Sequence, residues 1–327
     1  MSALVSVIIP TFRRPVYLRR AIMSILSQSY SNIEVLVVDD NNDGDEYRLE
    51  TECVMSKFAG NSKVVYLKHE KNLSGAAARN TGLKHARGEY IAFLDDDDIS
   101  LRYRIEKSVE YLSASSNDVG GVCIGYTKRY KNTYYKFFCS DGILDSFYPI
   151  LTNQLDLAAG STLLFRKEVL DKIGLFDESF RRHQDWDFLI RFLSSFNIVM
   201  IPDYQVVIHA DGWRNDPKPE SLQEINKHLF NVYKEHISSL PNELQKKIFQ
   251  EQNKEVIFNY IKALDFKKAS KLRKNEKVEL TLSFFIYGMY NFFTGIFPPM
   301  QLLVYKLFHI KYYKERAVVE KYYTEYE

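Results

Sequence analysis

An α/β fold with a mostly parallel sheet between helices is predicted by three features of the first two hundred residues. Short apolar runs recur at Val5–Ile9, Ile33–Val38, Val64–Leu67 and Tyr90–Leu94. Each is too short for a helix, is bounded by polar or turn residues, and lacks the in/out alternation of a half-exposed strand. Helix-compatible stretches lie between them, at about Tyr17–Gln28, about Glu46–Phe58, Gly75–His85 and Arg102–Leu112. Strand, helix, strand, helix implies parallel strands covered on both faces.

The elements can be taken in order. Val5–Ile9 is a continuous apolar run stopped at Pro10, and no positively charged leader precedes it, so the N-terminus reads as a first strand and not as a signal peptide. The second and fourth runs end on Asp39-Asp40 and Asp95-Asp96-Asp97-Asp98. Further on, Ser161–Phe165 and Val199–Ile201 read as strands, and Lys167–Ile173 and Gln184–Phe196 as helices. After Trp213 the chain becomes polar, helical and increasingly basic, and Leu280–Tyr305 then holds no charged residue. This change places a domain boundary near 212, with a catalytic domain at 1–212 and a helical region at 213–327.

Bulk composition narrows the function classes. The chain has 327 residues, 46% of them hydrophobic, enough for a sizeable core and too many for wholesale disorder. Lys plus Arg number 44 against 42 Asp plus Glu, a balance that argues against a general nucleic-acid binder. The three cysteines, Cys53, Cys123 and Cys139, have neither zinc-site nor disulfide-framework spacing, so a reducing cytoplasmic setting is the simplest expectation.

Ligands of such sheets sit outside the carboxyl ends of the strands, where loops and helix N-termini converge. Pro10-Thr11-Phe12-Arg13, Asp39-Asp40 and the acidic run Asp95–Asp98 all fall there. Four adjacent carboxylates repel one another unless a cation joins them, and hard divalent ions such as Mg²⁺ or Mn²⁺ prefer carboxylate oxygens. One member of the run, Asp98, also suits a cap for the next helix. Asp40 reads either as a turn cap or as an acceptor for a nucleotide. Small residues at Gly75–Ala78 open a helix whose free N–H groups suit an anion, with Arg79 one turn on. Asp185 and Asp187 flank Trp186 at another helix start, where a carboxylate is either a cap or a base.

Taken together, Val5-Ser-Val-Ile-Ile-Pro-Thr-Phe-Arg13, Val37-Val-Asp-Asp40, Ala78-Arg79-Asn80-x-Gly82, Ile91-Ala-Phe-Leu-Asp95-Asp-Asp-Asp98 and Gly174-x-Phe-Asp-Glu…Gln184-Asp185-Trp-Asp resemble glycosyltransferase family 2 over about residues 4–210. The resemblance implies the GT-A nucleotide-sugar-binding fold and inverting transfer from a nucleotide diphosphate-sugar. By position it implies that Pro10, Thr11 and Arg13 border the nucleotide, that Asp40 contacts the base (uracil), and that Arg79 faces the diphosphate. Asp95, Asp96 and Asp97 would hold donor and metal, Asp97 most directly, and His209 would complete the metal shell or stand as an ordinary hydrogen-bonded histidine at a strand end. Asp185 would be the catalytic base. Gln184 departs from the family's more common Glu at that place. Tyr126, Trp186 and Trp213 are candidates to stack on sugars.

The expected cofactor is Mn²⁺ or Mg²⁺, the donor a UDP-sugar, and the acceptor a glycan or polyprenyl-linked hydroxyl in surface polysaccharide or capsule synthesis. Basic flanks around Leu280–Tyr305 suggest a peripheral contact with the inner face of the cell membrane, or a homo-oligomer surface. The rival classes are a nucleotide-sugar-forming nucleotidyltransferase, which would carry a glycine-rich loop after the first strand, and a non-catalytic sugar-binding module, which would have lost the acidic run or the base.

Overall fold

The computed structural model describes residues 2–130, 133–152, 155, 157–209 and 218–280. The chain opens with β1 (Val5–Thr11), α1 (Pro15–Leu26), β2 (Ile33–Asp39), α2 (Glu46–Ser56), β3 (Val64–Lys68), α3 (Gly75–His85) and β4 (Tyr90–Phe93). Every element of this first half stands where the apolar pattern puts it, within a few residues. Then come β5 (Ile99–Ser100), α4 (Arg104–Ala114), β6 (Val119–Tyr130), β7 (Thr133–Phe138) and β8 (Gly142–Leu144). Next are α5 (Tyr148–Leu151), α6 (Ala159–Thr162), β9 (Leu163–Arg166), α7 (Val169–Ile173), α8 (Gln184–Leu193) and β10 (Asn197–His209). Four helices follow: α9 (Pro219–Val232), α10 (Lys234–Ser238), α11 (Asn242–Lys262) and α12 (Phe266–Asn275).

The sheet runs β3-β2-β1-β4-β9-β6-β10-β5, with β7 on β6 and β8 on β10. β1 pairs in parallel with β2 and β4, and β2 with β3, as strand–helix alternation demands. In the second half β9 is antiparallel to both β4 and β6, which the sequence pattern did not reveal. The described core beneath the sheet gathers Val7, Ile9, Val35, Val37, Ile105 and Leu112 with Leu18, Ile22 and Ile25 of α1.

Three local departures have physical reasons. β1 continues through Pro10, which stays in register with Val38. Ile8 O accepts from Leu94 N at 3.0 Å, so Pro10, two residues on, turns its missing N–H toward the β4 side, where that strand has already ended. Residues 159–162 form a short helix and not the start of a strand. Ala158 sits at φ 48°, and Thr162 Oγ1 donates to Leu157 O at 2.6 Å, closing a turn there. Asp98 does not cap α4, which begins at Arg104; its carboxylate is used inside the molecule.

Two compact units divide the chain. One comprises Met1–Ser146 with Leu157–Gly212, and the other Phe147–Asp156 with the described residues after Trp213. The placing of α5 with the helical unit differs from a simple boundary near 212. Within that unit Gln252 Nε2 of α11 donates to Leu151 O at 2.7 Å, which ties α5 in. Leu222, Val256, Ile257, Tyr260, Ala269 and Leu272 form its core. The segment 281–305, expected to meet a membrane or a partner, and Trp213 lie outside the described residues.

Helix α3 approaches β1 closely because it is built from small residues. A Cβ on Gly82 would lie 2.4 Å from Ile8 Cγ2. Gly82→Ala is expected to lower stability by about 1–3 kcal/mol through overpacking, read as a reduced urea midpoint with unchanged far-ultraviolet dichroism.

Candidate active site

β1 runs past the end of β4, so Pro10 and Thr11 extend beyond the last β1–β4 pair, Ile8 with Phe93. Thr11 is buried, and its hydroxyl donates to Asp96 Oδ2 at 2.7 Å, so the first strand end is tied to the acidic run. Arg13 adopts φ 58° and gives its N–H to Asn41 Oδ1 at 2.9 Å. Its exposed guanidinium lies 5.0 Å from the Phe12 ring and 5.8 Å from that of Tyr47.

The two aspartates ending β2 have divided roles. Asp39 is fully buried against Arg48 (3.0 Å) and the Tyr66 hydroxyl (2.5 Å), and Arg48 also donates to the carbonyls of Asn41 and His69. Burial and Asp39 together raise the Tyr66 phenol far above its usual range, so it stays a donor. Asp40 accepts from Asn72 Nδ2 (2.7 Å), Leu73 N (2.8 Å) and Ser74 N (3.0 Å), and meets His69 Nδ1 at 2.7 Å. It is 2% exposed. Asp40 thus holds the loop that launches α3, and any contact with a base would share a carboxylate that already has four partners.

The acidic run is pinned between β4 and β5, and its four side chains go four ways. Asp95 pairs with Arg79 at 2.8 Å, and Asp96 accepts from Thr11 and lies 3.3 Å from Arg14. Asp97 pairs with Arg14, and its carbonyl accepts from Arg20 Nη2 at 2.8 Å. Asp98 accepts from Ser161 Oγ at 2.5 Å and from His209 N at 3.1 Å. Burial pushes the Asp96 carboxyl up to about 7, with Asp97 and Asp95 adding to it and Arg14 opposing. Burial, then the charges of Asp97 and Asp95, raise Asp98 as well. Asp95 and Asp97 remain partly open, at 40% and 14% side-chain exposure.

Arg79 is the hinge between this run and the second half of the unit. It is held by Gly75 O at 3.3 Å and by Asp95. Glycines make room on both sides. A Cβ at Gly75 would meet Gln184 Nε2 at 3.0 Å and Arg79 Nη1 at 3.2 Å, and one at Gly160 would meet Asp95 Oδ2 at 2.9 Å. Asp185 is therefore brought close to Arg79 and Asp95, in the first turn of α8. Burial raises its carboxyl above the usual range, and Arg79 and the amides of Asp185 and Trp186 pull the other way. Asp187, by contrast, is buried and paired with Arg191 at 2.5 Å, a structural role. His183 at φ 59° stacks on Trp186 with centroids 4.3 Å apart.

His209 reaches the same place from the end of β10, its ring meeting the backbone of Asp97 and Val207. Burial, then Arg20 and Arg129, hold its pKa down to about 3, so it stays neutral, the form that ligates metals. Carboxylate oxygens with an adjacent neutral imidazole are a donor set suited to a hard divalent ion. Among the described residues, however, no three Asp, Glu, His or Cys side chains converge as ready-made ligands. Arg14 supplies the positive charge beside Asp97 that such an ion would bring. Tyr126 is fully buried and stacked on Phe138 at 5.3 Å, so it belongs to the core and not to a sugar platform.

Comparison with known proteins bears on this arrangement. The sequence model described as Glycosyl transferase family 2 matches residues 6–174. The chain belongs to glycosyl transferase family 2. An uncharacterized glycosyltransferase of Rickettsia typhi is 34% identical over 216 residues, 64% of this chain and 64% of that protein. The chain thus spans under two thirds of that relative's length. Poly(ribitol-phosphate) beta-N-acetylglucosaminyltransferase TarP of Staphylococcus aureus is 30% identical over 252 residues, 75% of this chain and 72% of TarP.

Solved structures agree on the GT-A fold. S. aureus TarS 1-349 in complex with UDP-GlcNAc has a TM-score of 0.54 at 16% identity, covering 85% of this chain and 93% of that one. A mannosyltransferase from Pyrobaculum calidifontis in complex with GDP-Man and Mn2+ has a TM-score of 0.54 at 17% identity, covering 94% and 88%.

For a family 2 chain, the residues that sequence reasoning missed are those supporting the acidic run: Arg14, Gly160 and Ser161. Arg14 directly follows the first-strand motif, so its charge was a usable signal. Gly160 and Ser161 gave none, because their partners lie more than sixty residues away. Ser161 Oγ donates to Asp98 and accepts from Asp95 N at 3.0 Å. Ser161→Ala should therefore cost about 1–3 kcal/mol in thermal or denaturant unfolding, because the buried Asp98 carboxyl and the Asp95 N–H both lose this partner.

Proposed function

We propose that this glycosyltransferase moves a sugar from a nucleoside diphosphate-sugar, most simply a UDP-sugar, onto a hydroxyl of a glycan or lipid-linked acceptor, with inversion and with help from a divalent cation. The carrying observation is the juxtaposition of Arg79, fixed between Gly75 O and Asp95, with Asp185 in the first turn of α8. A fixed cation beside a raised carboxylate at an open sheet edge supplies both ends of a displacement. TarS with UDP-GlcNAc and the Pyrobaculum enzyme with GDP-Man and Mn2+ support a nucleotide-sugar donor. TarP, named for poly(ribitol-phosphate), supports a polymer acceptor.

In the proposed reaction the acceptor oxygen attacks the anomeric carbon while its proton passes to a carboxylate oxygen of Asp185. The bond from that carbon to the diphosphate oxygen breaks, and the diphosphate leaves with the electron pair. Arg79 meets the charge that develops on it, stabilisation where charge appears. A single displacement inverts the carbon. Asp95 and Asp97, with His209 beside them, are the residues that would hold the cation, which when bound supplies further neutralisation of the diphosphate. Pro10, Thr11 and Arg13 border the nucleotide in this reading, and Asp40 and Asp96 act mainly by fixing the loop before α3 and the end of β1.

Asp185→Asn is expected to lower turnover by about 10²-fold or more, the usual scale of general-base catalysis, while nucleotide binding holds. Wild-type-like turnover would remove Asp185 as the base. Only the deprotonated carboxylate accepts a proton, and burial raises its pKa. Activity should therefore climb with pH, with an acid limb above the ordinary aspartate range.

Calorimetry with UDP, GDP, CDP and dTDP, with and without Mn²⁺, tests the donor. One nucleotide should bind in a metal-dependent way, and Asp97→Ala should weaken that binding. An unaltered metal requirement in the variant would return Asp97 to a purely structural pairing with Arg14.

A further inference from the structure

The helical unit carries a feature that sugar transfer does not explain. Helix α11 ends in a complete Schellman turn, with Leu264 N donating to Ile261 O at 2.9 Å and Asp265 N to Tyr260 O at 2.9 Å. The residue at the left-handed position of that turn is Leu264, at φ 59°. Glycine adopts this conformation freely, whereas a residue with a Cβ is strained there. Leu264 gains no burial in exchange, since it is 67% exposed, and Phe266 two residues on is 61% exposed. The corner therefore presents two large apolar side chains to solvent at a cost to the fold.

The charge around the corner is mainly positive. From Lys262 to Lys277 there are seven Lys or Arg and two carboxylates. Lys268 is spent on Glu220 (2.7 Å) and on Asp265 (3.1 Å), which also caps α12 through Lys268 N at 3.0 Å. The buried face of α12 is Ala269 and Leu272. Lys267, Lys271 and Lys274 fall opposite, at i, i+4 and i+7 on the exposed side. Among the described residues none of these three has an ion-pair partner. Lys277 repeats the pattern at the end of α12, holding φ 48° in a second Schellman turn (Val278 N to Arg273 O, 3.0 Å) while exposed.

We propose that the α11–α12 corner is a docking surface for an anionic lipid membrane. Leu264 and Phe266 enter the interface, and Lys267, Lys271 and Lys274 face the headgroups. An apolar wedge beside a row of unpaired lysines matches a surface that is apolar beneath and negative above. A soluble polyanion would use the lysines and leave the wedge unexplained. No helix among the described residues is long and apolar enough to cross a membrane. Membrane docking at this corner needs neither the donor nor the acceptor of the proposed reaction, and it is read by binding and not by turnover.

Co-sedimentation of the full chain with vesicles of phosphatidylglycerol and phosphatidylcholine, against phosphatidylcholine alone, decides it. Binding is expected to require the anionic lipid and to fall at high salt. Leu264→Gly places the preferred residue in the turn, so melting temperature should hold or rise while vesicle binding drops. Combined with Phe266→Ser, the loss should reach roughly ten-fold or more, and Lys267, Lys271 and Lys274 changed to Gln should match it. Undiminished vesicle binding by the Leu264→Gly, Phe266→Ser protein overturns the proposal and points to another part of the chain. Binding to neutral vesicles that ignores salt overturns it too. Inorganic polyphosphate that strips the protein from vesicles and binds the Leu264→Gly variant equally well would make the surface a polyanion site.

Discussion

Negative charge concentrated at the end of a buried strand is the constraint on which the catalytic unit depends. Asp95–Asp98 follow β4 directly, and a carboxylate held near others and away from water resists ionisation unless cations and donors surround it. The fold answers from every side. Arg14 comes from the start of α1, Arg79 from α3, and Arg20 reaches the Asp97 carbonyl. Arg104, fully buried, donates to Phe93 O at 2.8 Å, and its charge acts on Asp98. Thr11 and Ser161 add neutral donors. The acidic run thus draws together β1, α1, α3, α4, α6 and β10, and the opening at the sheet edge is where these elements meet.

A second network prepares the neighbouring surface. Asp39, Arg48 and Tyr66 lock the end of β2, and Asp40 clasps the 69–74 loop. The loop in turn fixes the start of α3, so that Arg79 arrives at Asp95 one turn later. These buried ionic groups are costly to desolvate, and each is matched by more than one hydrogen bond, the condition under which such groups are tolerated. Their effect is positional: they hold a cation and a carboxylate rigid at an edge that is otherwise loops.

Much of this was legible in the chain. Local periodicity placed the first seven elements, because buried parallel strands and their connecting helices leave strong short-range signals. The motif residues Thr11, Arg79, Asp95, Asp97, Asp185 and His209 do meet in one region, and the first four of them lie within residues 6–174, the stretch that matches glycosyl transferase family 2. Less legible were β6 to β8 and the antiparallel β9. Their pairing partners lie far off in sequence, and strand propensity reflects packing more than local preference.

Roles within the site were less legible than its members. Two aspartates side by side in the sequence, Asp39 and Asp40, serve different networks, and Asp185 and Asp187 separate into a carboxylate facing Arg79 and a buried ion pair with Arg191. Alternation of side chains across a strand or around a helix sends neighbours to different surroundings, and only those surroundings fix what each carboxylate does. The sequence by itself determined the fold class, the family and the acidic character of the site, since these rest on residue type and local order. Tertiary structure alone decided which cation answers each carboxylate, that Asp98 is a buried anchor and not a helix cap, and that Gly160 leaves room for the Asp95–Arg79 pair. Charge compensation and steric room act through space between residues distant in the chain, where no local pattern records them.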